Sequence, residues 1–573
     1  MANTTNLNLP LIDNTMIADV PRDMNALALA LDSAVVVAID DARVTLIDSA
    51  NSTSITAAPT ANALKTVNDS VVAQLAETVS GAYNAKKFGL IGNGATNDYA
   101  ALSSLLATIG SSKATIIFPP GTYKLSSNVT IPANITLWIM NGATLSPDSG
   151  ITITINGGIN ADLYQIFTGL GNIAGDLKVE AVYPQWWGAV SDGVTDNASA
   201  FQKAIDIGRR VIVANVGFGY AISNLTILGN ISLVGVGKYK PLLIALPTTT
   251  KLFNFKYSGV HVENIKINMN AALVGSITFY FDTNANYFGD IRMSRITIEN
   301  AYRVITDAND PLKNILHAYF EDIECVTGKG TAIILNNFMG FINFKKVMVS
   351  YTNTKAVHGT DVTYPGMIVN KIAGLVLNDC DVLGGTDSVG GDGFVFNNCA
   401  AVWFNRVMAD TVGGTGIKMT NCMYMYLNDV VSSLCQRGGI YAKSVQTLEV
   451  GRLFITGTKG HAGSVLAQDG FYMESCTGGN LGAITTSTNT GNGFAMNNCT
   501  NFLINSIRSD NNGAIGVVEQ TTAGVGNFNI LGNILSVSNT ISSLKLVSNA
   551  NTVSTLIPSS GAVQYHVVGP ITI

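Results

Sequence analysis

Charged residues are scarce in this sequence. Asp, Glu, Lys and Arg make up 12% of the 573 residues, about half of the ~25% that is usual for globular domains, and the formal net charge is −5. Because no stripe of Lys and Arg is available to follow a phosphate backbone, the composition argues against a nucleic-acid partner. Glycine is abundant instead, at 57 residues, and this profile suits a long β-solenoid with many turns.

Long apolar runs are also missing. None reaches the ~18 residues that a membrane-spanning helix needs, because the run at 35–39 ends at Asp40 and Asp41. The first residues lack a basic stretch followed by an apolar one, so no signal peptide is predicted. We therefore expect that the chain is made in the cytosol and is not inserted into a membrane. If it acts outside the cell, another vehicle carries it there.

Several catalytic and metal-binding motifs are absent from the sequence. It has no Gly-x-Ser-x-Gly elbow, no His-Glu-x-x-His pair and no P-loop. The seven cysteines do not have the spacing of a zinc site. The sequence therefore predicts neither a metal site nor a cofactor.

What the sequence does contain is a repeat between residues 393 and 518. A glycine followed by an apolar residue recurs at spacings of 23, 23, 31, 23 and 23 residues, at Gly393, Gly416, Gly439, Gly470, Gly493 and Gly516. Four of these glycines are followed six residues later by a cysteine, at Cys399, Cys422, Cys476 and Cys499. A period in the twenties with aligned Gly and apolar positions marks a stacked solenoid, and short runs of period two indicate strands. The sequence predicts an all-β fold, a right-handed parallel β-helix with one turn per repeat, in which the aligned thiols form a buried stack rather than disulfides.

A second periodic feature is an apolar-x-x-apolar motif whose third position alternates in charge over seven successive turns. These positions are Arg295, Asp322, Lys346, Asp379, Arg406, Asp429 and Arg452. Because neighbouring strands of a sheet lie ~4.8 Å apart, each charge should face opposite charges on both sides. We interpret this ladder as structural, along one exposed corner, although a charged wall formed by Arg406 and Arg452 could also touch a charged glycan.

The two ends of the chain differ from the repeat. In residues 1–80, Pro21 precedes apolar residues at helical spacing, and this narrow stripe predicts short helices that pack in an oligomeric bundle or on their own protomer. After Gly524 the repeat pattern is lost, and residues 521–573 read as short strands that form a trimer clamp or a simple cap on the last turn.

Two copies of a glycine-rich turn, each followed by a short helix, precede the repeat. The first copy spans 88–98 and leads into a helix over 99–109 and a Pro-Pro-Gly-Thr-Tyr strand. The second copy spans 187–197 and leads into a helix over 198–207. We expect Asp98 and Asp196 or Asn197 to cap these helices, which would plug an open first turn of a β-helix.

This turn resembles the one that marks the pectate-lyase-like β-helix superfamily, and with the N-terminal helical segment the arrangement resembles bacteriophage tailspike and tail-fibre depolymerases. The resemblance implies a homotrimer in the virion tail, attached to the phage tail, baseplate or an adaptor protein through residues 1–80. It also implies a β-rich neck over 81–182 and a β-helix over 183–520 that binds and cleaves a bacterial surface polysaccharide.

Hydrolysis of a glycan requires two carboxyl groups that flank the scissile bond. The densest acidic stretch outside the ladder runs from Glu299 to Glu324. In the repeat register both should face outward on adjacent turns, offset by two residues, which places them ~8 Å apart and within the range of inverting enzymes. We predict this pair as catalytic, with Asp307 in the intervening loop as a third member.

A second candidate site lies in the repeat itself. Trp403, Tyr426 and Glu449 occupy one outward column on three successive turns, where two aromatic rings can stack on sugars beside an acid. The 31-residue repeat adds a loop that carries His461 and ends at Asp469, both predicted to contact substrate. A lyase would instead use Tyr426, Arg452 or His461 as the base, and a non-catalytic fibre or adhesin would bind the glycan without cleaving it.

Overall fold

A computed structural model describes most of the chain from residue 81 onward. The described ranges are 81–214, 217–269, 272–282, 287–309, 314–326, 330–336, 338–351, 364–384, 391–459, 468–520, 530–537, 539, 542–546, 552–558 and 565–567. The predicted helices of residues 1–80 and the candidate His461 lie outside them. No helix in these ranges is long and apolar enough to cross a membrane.

The fold is a parallel β-solenoid of about 16 turns, with 58% strand and 7% helix, so the predicted class is confirmed. The chain divides into two compact units. The first holds 81–180 and 185–188 of the described residues, and the second holds 181–184 and everything described after 188.

The first unit is a small β-helix with three parallel sheets of four, three and three strands. Its strands are Ala82–Asn84, Asn93–Asn97, Ala114–Phe118, Gly121–Leu125, Val129–Ile131, Ile135–Ile139, Ala143–Pro147, Thr152–Ile155, Gly158–Asn160 and Asn172–Ala174. The helix Tyr99–Ile109 (α1) has the predicted bounds and buries Leu102, Leu105 and Ile109. Inward residues alternate along the strands, as in Ala114–Phe118, because successive side chains of a strand point to opposite faces.

The second unit contains the helix Ala198–Ile207 (α2), again with the predicted bounds, and two long parallel sheets. The 18 strands of sheet A are Asp192–Asp196, Arg210–Val213, Gly219–Ile222, Ile231–Gly235, Leu242–Ala245, Val260–Asn268, Tyr287–Phe288, Ile291–Glu299, Asn314–Val326, Phe338–Ser350, Ala373–Leu383, Ala400–Asp410, Met423–Ser433, Gln446–Thr456, Thr477–Ser487, Thr500–Asp510, Ile530–Val537 and Thr552–Pro558. The 14 strands of sheet B are Leu225–Ile227, Lys251–Phe255, Ile277–Phe281, Arg303–Asp307, Ile333–Leu335, Met367–Asn370, Phe394–Asn397, Thr415–Thr420, Gly438–Lys443, Phe471–Glu474, Phe494–Asn497, Ile515–Gln520, Ser542–Leu546 and Tyr565–Val567.

The core between the sheets is built from residues that repeat at the same position of successive turns. In sheet B the rings of Phe253, Phe255, Phe279 and Phe281 stack with centroids 5.2–6.2 Å apart. All seven cysteines are buried and free, as predicted. Thiols such as Cys399 donate to a carbonyl of the preceding turn, which satisfies them without a disulfide.

Sheet A bends at the position of the predicted charge ladder. Six of the seven ladder residues have left-handed backbone with φ between 52° and 55°, namely Arg295, Asp322, Lys346, Asp379, Arg406 and Asp429. This bend puts two outward residues between two buried ones, as between Phe404 and Val407. We call this column the corner. Arg406 pairs with Asp379 and Arg452 with Asp429, so part of the predicted ladder is confirmed.

Of the three residues expected to cap the two helices, Asp98 and Asn197 have other partners, whereas Asp196 bonds to the first residue of its helix. Asp98 accepts hydrogen bonds from the amides of Ile91 and Gly92, and Asn197 accepts one from the amide of Val190, so both hold the glycine turn in place. Neither side chain makes a capping bond to its helix. The preceding Asp196 accepts from the amide of Ala198 at 2.9 Å.

The described strands beyond residue 520 continue both sheets in parallel. Ile530–Val537 pairs with Thr500–Asp510, and Ser542–Leu546 pairs with Ile515–Gln520. The change of sequence pattern after Gly524 therefore does not interrupt the strand pairing.

Candidate functional site

The corner divides the outward surface of sheet A into two faces. Face 1 is formed by the strand halves before the corner, and one of its columns contains His261, Arg292, Tyr319, Asn343, Val376, Trp403, Tyr426 and Glu449. Face 2 is formed by the halves after the corner, and one of its columns contains Lys266, Thr297, Glu324, Met348 and Asp381. Since strands lie ~4.8 Å apart, each column is a straight row of regularly spaced side chains.

The predicted carboxylate pair lies on face 2 with the predicted register. Glu324 pairs with Thr297 on the preceding strand, and Glu299 follows Thr297 by two residues. The two acids are therefore on adjacent strands, offset by two positions. Glu299 forms an ion pair with Lys266, at 2.9 Å from Oε1 to Nζ.

Glu324 is held by a loop that comes from much earlier in the chain. Lys238 Nζ lies 2.8 Å from Asp322 Oδ1 and 3.3 Å from Glu324 Oε2, and the Tyr239 hydroxyl lies 3.3 Å from the same oxygen. The sequence does not predict this contact. The glycine-rich turn at 235–237 gives no indication that Lys238, which follows it, contacts Asp322, 84 residues later.

The two acids raise the pKa of Lys238. Partial burial by itself would lower this pKa, but hydrogen bonds and Coulomb attraction from Asp322 and Glu324 outweigh the burial. Lys238 is therefore a stable cation between two carboxylates. Asp322 consequently has its cation from this loop.

Thr297 shows that this part of face 2 is covered. It points outward between Lys266 and Glu324, yet it is 2% exposed, and its Oγ1 has no hydrogen-bond partner among the described residues. A hydroxyl without a partner between two ion pairs adds a polar group to the patch formed by Lys238, Lys266, Glu299 and Glu324.

Asp307 does not belong to this patch, which corrects the prediction of a third catalytic acid. It ends the strand Arg303–Asp307 of sheet B and does not lie in a loop. It is 8% exposed and accepts hydrogen bonds from the Asn336 amide and side chain at 3.1 and 2.7 Å. Asn336 in turn accepts from Asn370, and Asn370 from Asn397, so Asp307 begins a structural ladder of amides.

The second predicted site is found on face 1. Trp403 pairs in register with Tyr426, and Tyr426 with Glu449, as the 23-residue spacing predicted. The two rings stack with centroids 5.4 Å apart and planes 5° from parallel. Arg406 and Arg452 lie at the corner, exposed and paired with Asp379 and Asp429.

Asp469 is buried, which contradicts its predicted contact with substrate. It is 2% exposed in the turn before sheet B, where one carboxylate oxygen accepts from the Asn492 amide at 2.7 Å and the other has no partner among the described residues. Burial raises its pKa to about 6, against the hydrogen bonds from Asn492.

We expect the wild-type protein to lose stability as the pH rises from about 4 to about 6, and the Asp469→Asn variant to lack this loss. A raised pKa means that the folded state binds the proton more tightly, so Asp469 lowers stability as the pH rises through this interval, by at most about 3 kcal/mol. Asn is compatible with the turn, because Asn492 accepts from the Ile515 amide at the equivalent position one turn later. Urea unfolding from pH 2 to 7.5 measures the effect.

Asp192→Asn is the contrasting variant for that experiment. The pKa of exposed Asp192 is lowered to about 2 by hydrogen bonds from Thr195 and Val194. The stability from this group is present above about pH 4 and is lost as the pH falls toward 2, the opposite sign. If the unfolding free energies of the wild type and Asp469→Asn depended on pH in the same way, the raised pKa of Asp469 would be contradicted.

A groove on face 1 was not predicted from the sequence. It has a volume of about 430 Å³ and is lined by Arg292, Met293, Ser294, Tyr319 and Glu321. These residues lie on the same two strands as Glu299 and Glu324 but on the other side of the corner. The sequence does not predict this groove, because its residues are of different types, Arg, Tyr and Glu, and alternate with apolar residues.

The described residues contain no group of three or more His, Cys, Asp or Glu side chains placed to hold a metal ion. Both faces of sheet A carry carboxylates and cations, and face 1 also carries aromatic rings.

Part of the first unit matches a known protein family. Residues 82–173 match the family described as rhamnogalacturonase A/epimerase, pectate lyase-like. The first copy of the glycine-rich turn lies in this matched segment, so the resemblance stated for it is confirmed. Among curated proteins, none matches this chain.

Several solved structures are similar to this chain. Tailspike protein 2 of Escherichia coli O157:H7 bacteriophage CAB120 is 13% identical, with a TM-score of 0.34, over 62% of this chain and 42% of that one. The Dettilon tailspike protein is 13% identical, with a TM-score of 0.37, over 64% of this chain and 68% of that one. The periplasmic alginate epimerase AlgG is 10% identical, with a TM-score of 0.32, over 63% of this chain and 77% of that one.

Proposed function

We propose that this protein binds and depolymerises a bacterial surface polysaccharide, a capsule or exopolysaccharide, by hydrolysis of a glycosidic bond. The observation that supports this proposal is the pair Glu299 and Glu324 on adjacent strands of face 2, each beside a lysine. A rigid parallel sheet suits a long repetitive polymer, because successive strands offer contacts at a constant spacing.

The spacing of the pair favours inversion. One strand step of ~4.8 Å combined with two residues along a strand, ~6.6 Å, gives ~8 Å. Inverting glycosidases place their carboxyl groups ~6.5–9.5 Å apart, which leaves room for the attacking water, whereas retaining enzymes need ~5 Å.

The surroundings of the two acids suggest their roles. Glu324 has both the Lys238 ammonium and the Tyr239 hydroxyl beside it, and it acts as the general base that takes a proton from water. Glu299 has one cation, Lys266, and acts as the general acid that protonates the leaving glycosidic oxygen. The water oxygen bonds to the anomeric carbon as the bond to the leaving oxygen breaks.

A lyase is the second candidate, supported by the basic groups in the same patch. β-Elimination needs a base beside a uronate and a cation on its carboxylate. Lys238, Lys266 and Tyr239 are groups of these types, and they lie next to Glu299 and Glu324.

The biological setting belongs to the same proposal. A phage tailspike would present face 2 to the host surface as a homotrimer in the virion tail, attached to the tail through residues 1–80. The trimer and the attachment stay predictions, as do the neck and clamp roles of 81–182 and 521–573.

The test is to incubate the protein with purified surface polysaccharides from a panel of bacteria and to follow two products together. We expect new reducing ends without the ultraviolet absorbance of an unsaturated uronate, as hydrolysis requires. Absorbance that rises with the reducing ends would overturn hydrolysis in favour of elimination. A glycan that binds but yields neither product would overturn both and leave a non-catalytic fibre or adhesin.

A further inference from the structure

We propose that the groove on face 1 is a second glycan-binding site, separate from the carboxylate pair, and that it takes a carboxylated sugar residue, a uronic acid. The site is formed by Arg292, Ser294, Tyr319 and Glu321, and the Phe341 ring lies beside Tyr319. Its volume of about 430 Å³ is in the range of small-ligand clefts.

Arg292 supplies the group that would bind the carboxylate. Its Nε donates to Asp290 Oδ1 at 3.0 Å, and its guanidinium lies 5.9 Å from the centre of the Tyr319 ring. The two terminal nitrogens have no hydrogen-bond partner among the described residues, and the side chain is 62% exposed. A guanidinium that is fixed through Nε presents its remaining donors to a carboxylate as a rigid fork.

The aromatic residues supply the surface for the sugar ring. Tyr319 and Phe341 are 42% and 44% exposed, and their ring centroids lie 6.5 Å apart. Exposed rings of this size on a sheet surface provide flat apolar area for the C–H face of a pyranose. The Tyr319 ring is adjacent to Arg292, so a single sugar can contact this ring and the guanidinium together.

The acids near the groove already have cations. Glu321 pairs with Lys345 at 2.7 Å, Glu263 with Arg295 at 2.6 Å, and Asp290 contacts both Arg292 and His261. Glu321 keeps acceptor capacity for sugar hydroxyls, because a carboxylate has about four lone-pair sites. The pairing limits the repulsion that a free acid would exert on an anionic sugar.

The site is tested by saturation-transfer NMR of the full chain with three monosaccharides: D-glucuronate, D-glucose and glucose 6-phosphate. We expect binding of glucuronate, and an affinity at least about tenfold lower in Arg292→Gln, since hydrogen bonds to charged groups contribute about 1.5–3 kcal/mol. Tyr319→Ala should weaken glucuronate binding as well. The readout requires no cleavage, so it is independent of the proposed hydrolysis.

Arg508→Gln is the matched control. Arg508 also bonds through Nε to an aspartate two positions away, Asp510, and it is 63% exposed, but it lies outside the groove. Equal binding of glucose and glucuronate, tighter binding of glucose 6-phosphate, or equal losses in the two arginine variants would each overturn the proposal. Unchanged unfolding midpoints would show that the variants are folded.

Discussion

Glu324→Gln is expected to lower the rate of polysaccharide cleavage by about 10²–10⁴-fold while leaving the affinity for the glycan within a few-fold of wild type. Gln cannot take a proton from water, but it keeps the shape of Glu and can still accept from Lys238 and Tyr239. Glu299→Gln should cause a loss of the same order, because the leaving oxygen is no longer protonated. Initial rates of reducing-end formation at saturating glycan measure both effects.

Glu474→Gln provides the matched control for this prediction. Glu474 lies in sheet B and has the same kinds of partner, the Tyr441 hydroxyl at 2.7 Å and the Lys443 ammonium at 3.0 Å. Its replacement therefore reproduces any general cost of disturbing an acid–lysine–tyrosine cluster. If Glu324→Gln and Glu474→Gln reduce the rate equally, the face 2 pair is not the catalytic pair.

Phe279→Ala is expected to lower the free energy of unfolding by about 3–5 kcal/mol, the largest stability effect that we predict. Phe279 is fully buried, with ring centroids 5.6 Å from Phe253 and 6.2 Å from Phe255. Its removal leaves a cavity that two stacked rings on the preceding strand cannot fill. Because a solenoid turn contacts only its neighbours, nothing more distant can compensate.

The control for the core variant is Phe454→Ala. Phe454 is 44% exposed on face 2, so its truncation should change the unfolding free energy by no more than about 1 kcal/mol. Chemical denaturation of both variants at one protein concentration gives the comparison. A loss for Phe279→Ala no greater than that for Phe454→Ala would contradict the stacked core.

The features that the sequence predicted correctly are those that follow from the repeat. A parallel in-register stack converts a spacing of 23 residues into a fixed position one strand further along, so Trp403 and Tyr426 could be placed side by side. The same rule gave the offset between Glu299 and Glu324. The buried free thiols also follow, because cysteines at one inward position recur on neighbouring turns.

The predictions that the structure contradicts concern residues whose positions do not follow from the repeat. The sequence predicts a loop at Asp307, but this residue ends a short strand of sheet B. Asp469 stands next to the long loop in sequence, yet the turn buries it. Asp98 and Asn197 precede helices, where a cap is the local expectation, but the glycine turn competes for the same side chains.

The sequence by itself determined the fold class, the turn-by-turn register and the acids that share face 2, since all three depend on period and on local alternation. Only the tertiary structure decided that left-handed residues divide sheet A into two faces, that Arg292 and Tyr319 line a groove, and that Lys238 reaches Asp322 and Glu324. The physical reason is that a loop contact across 84 residues and a bend in a strand have no period, so their energies depend on surfaces that exist only after the turns have stacked.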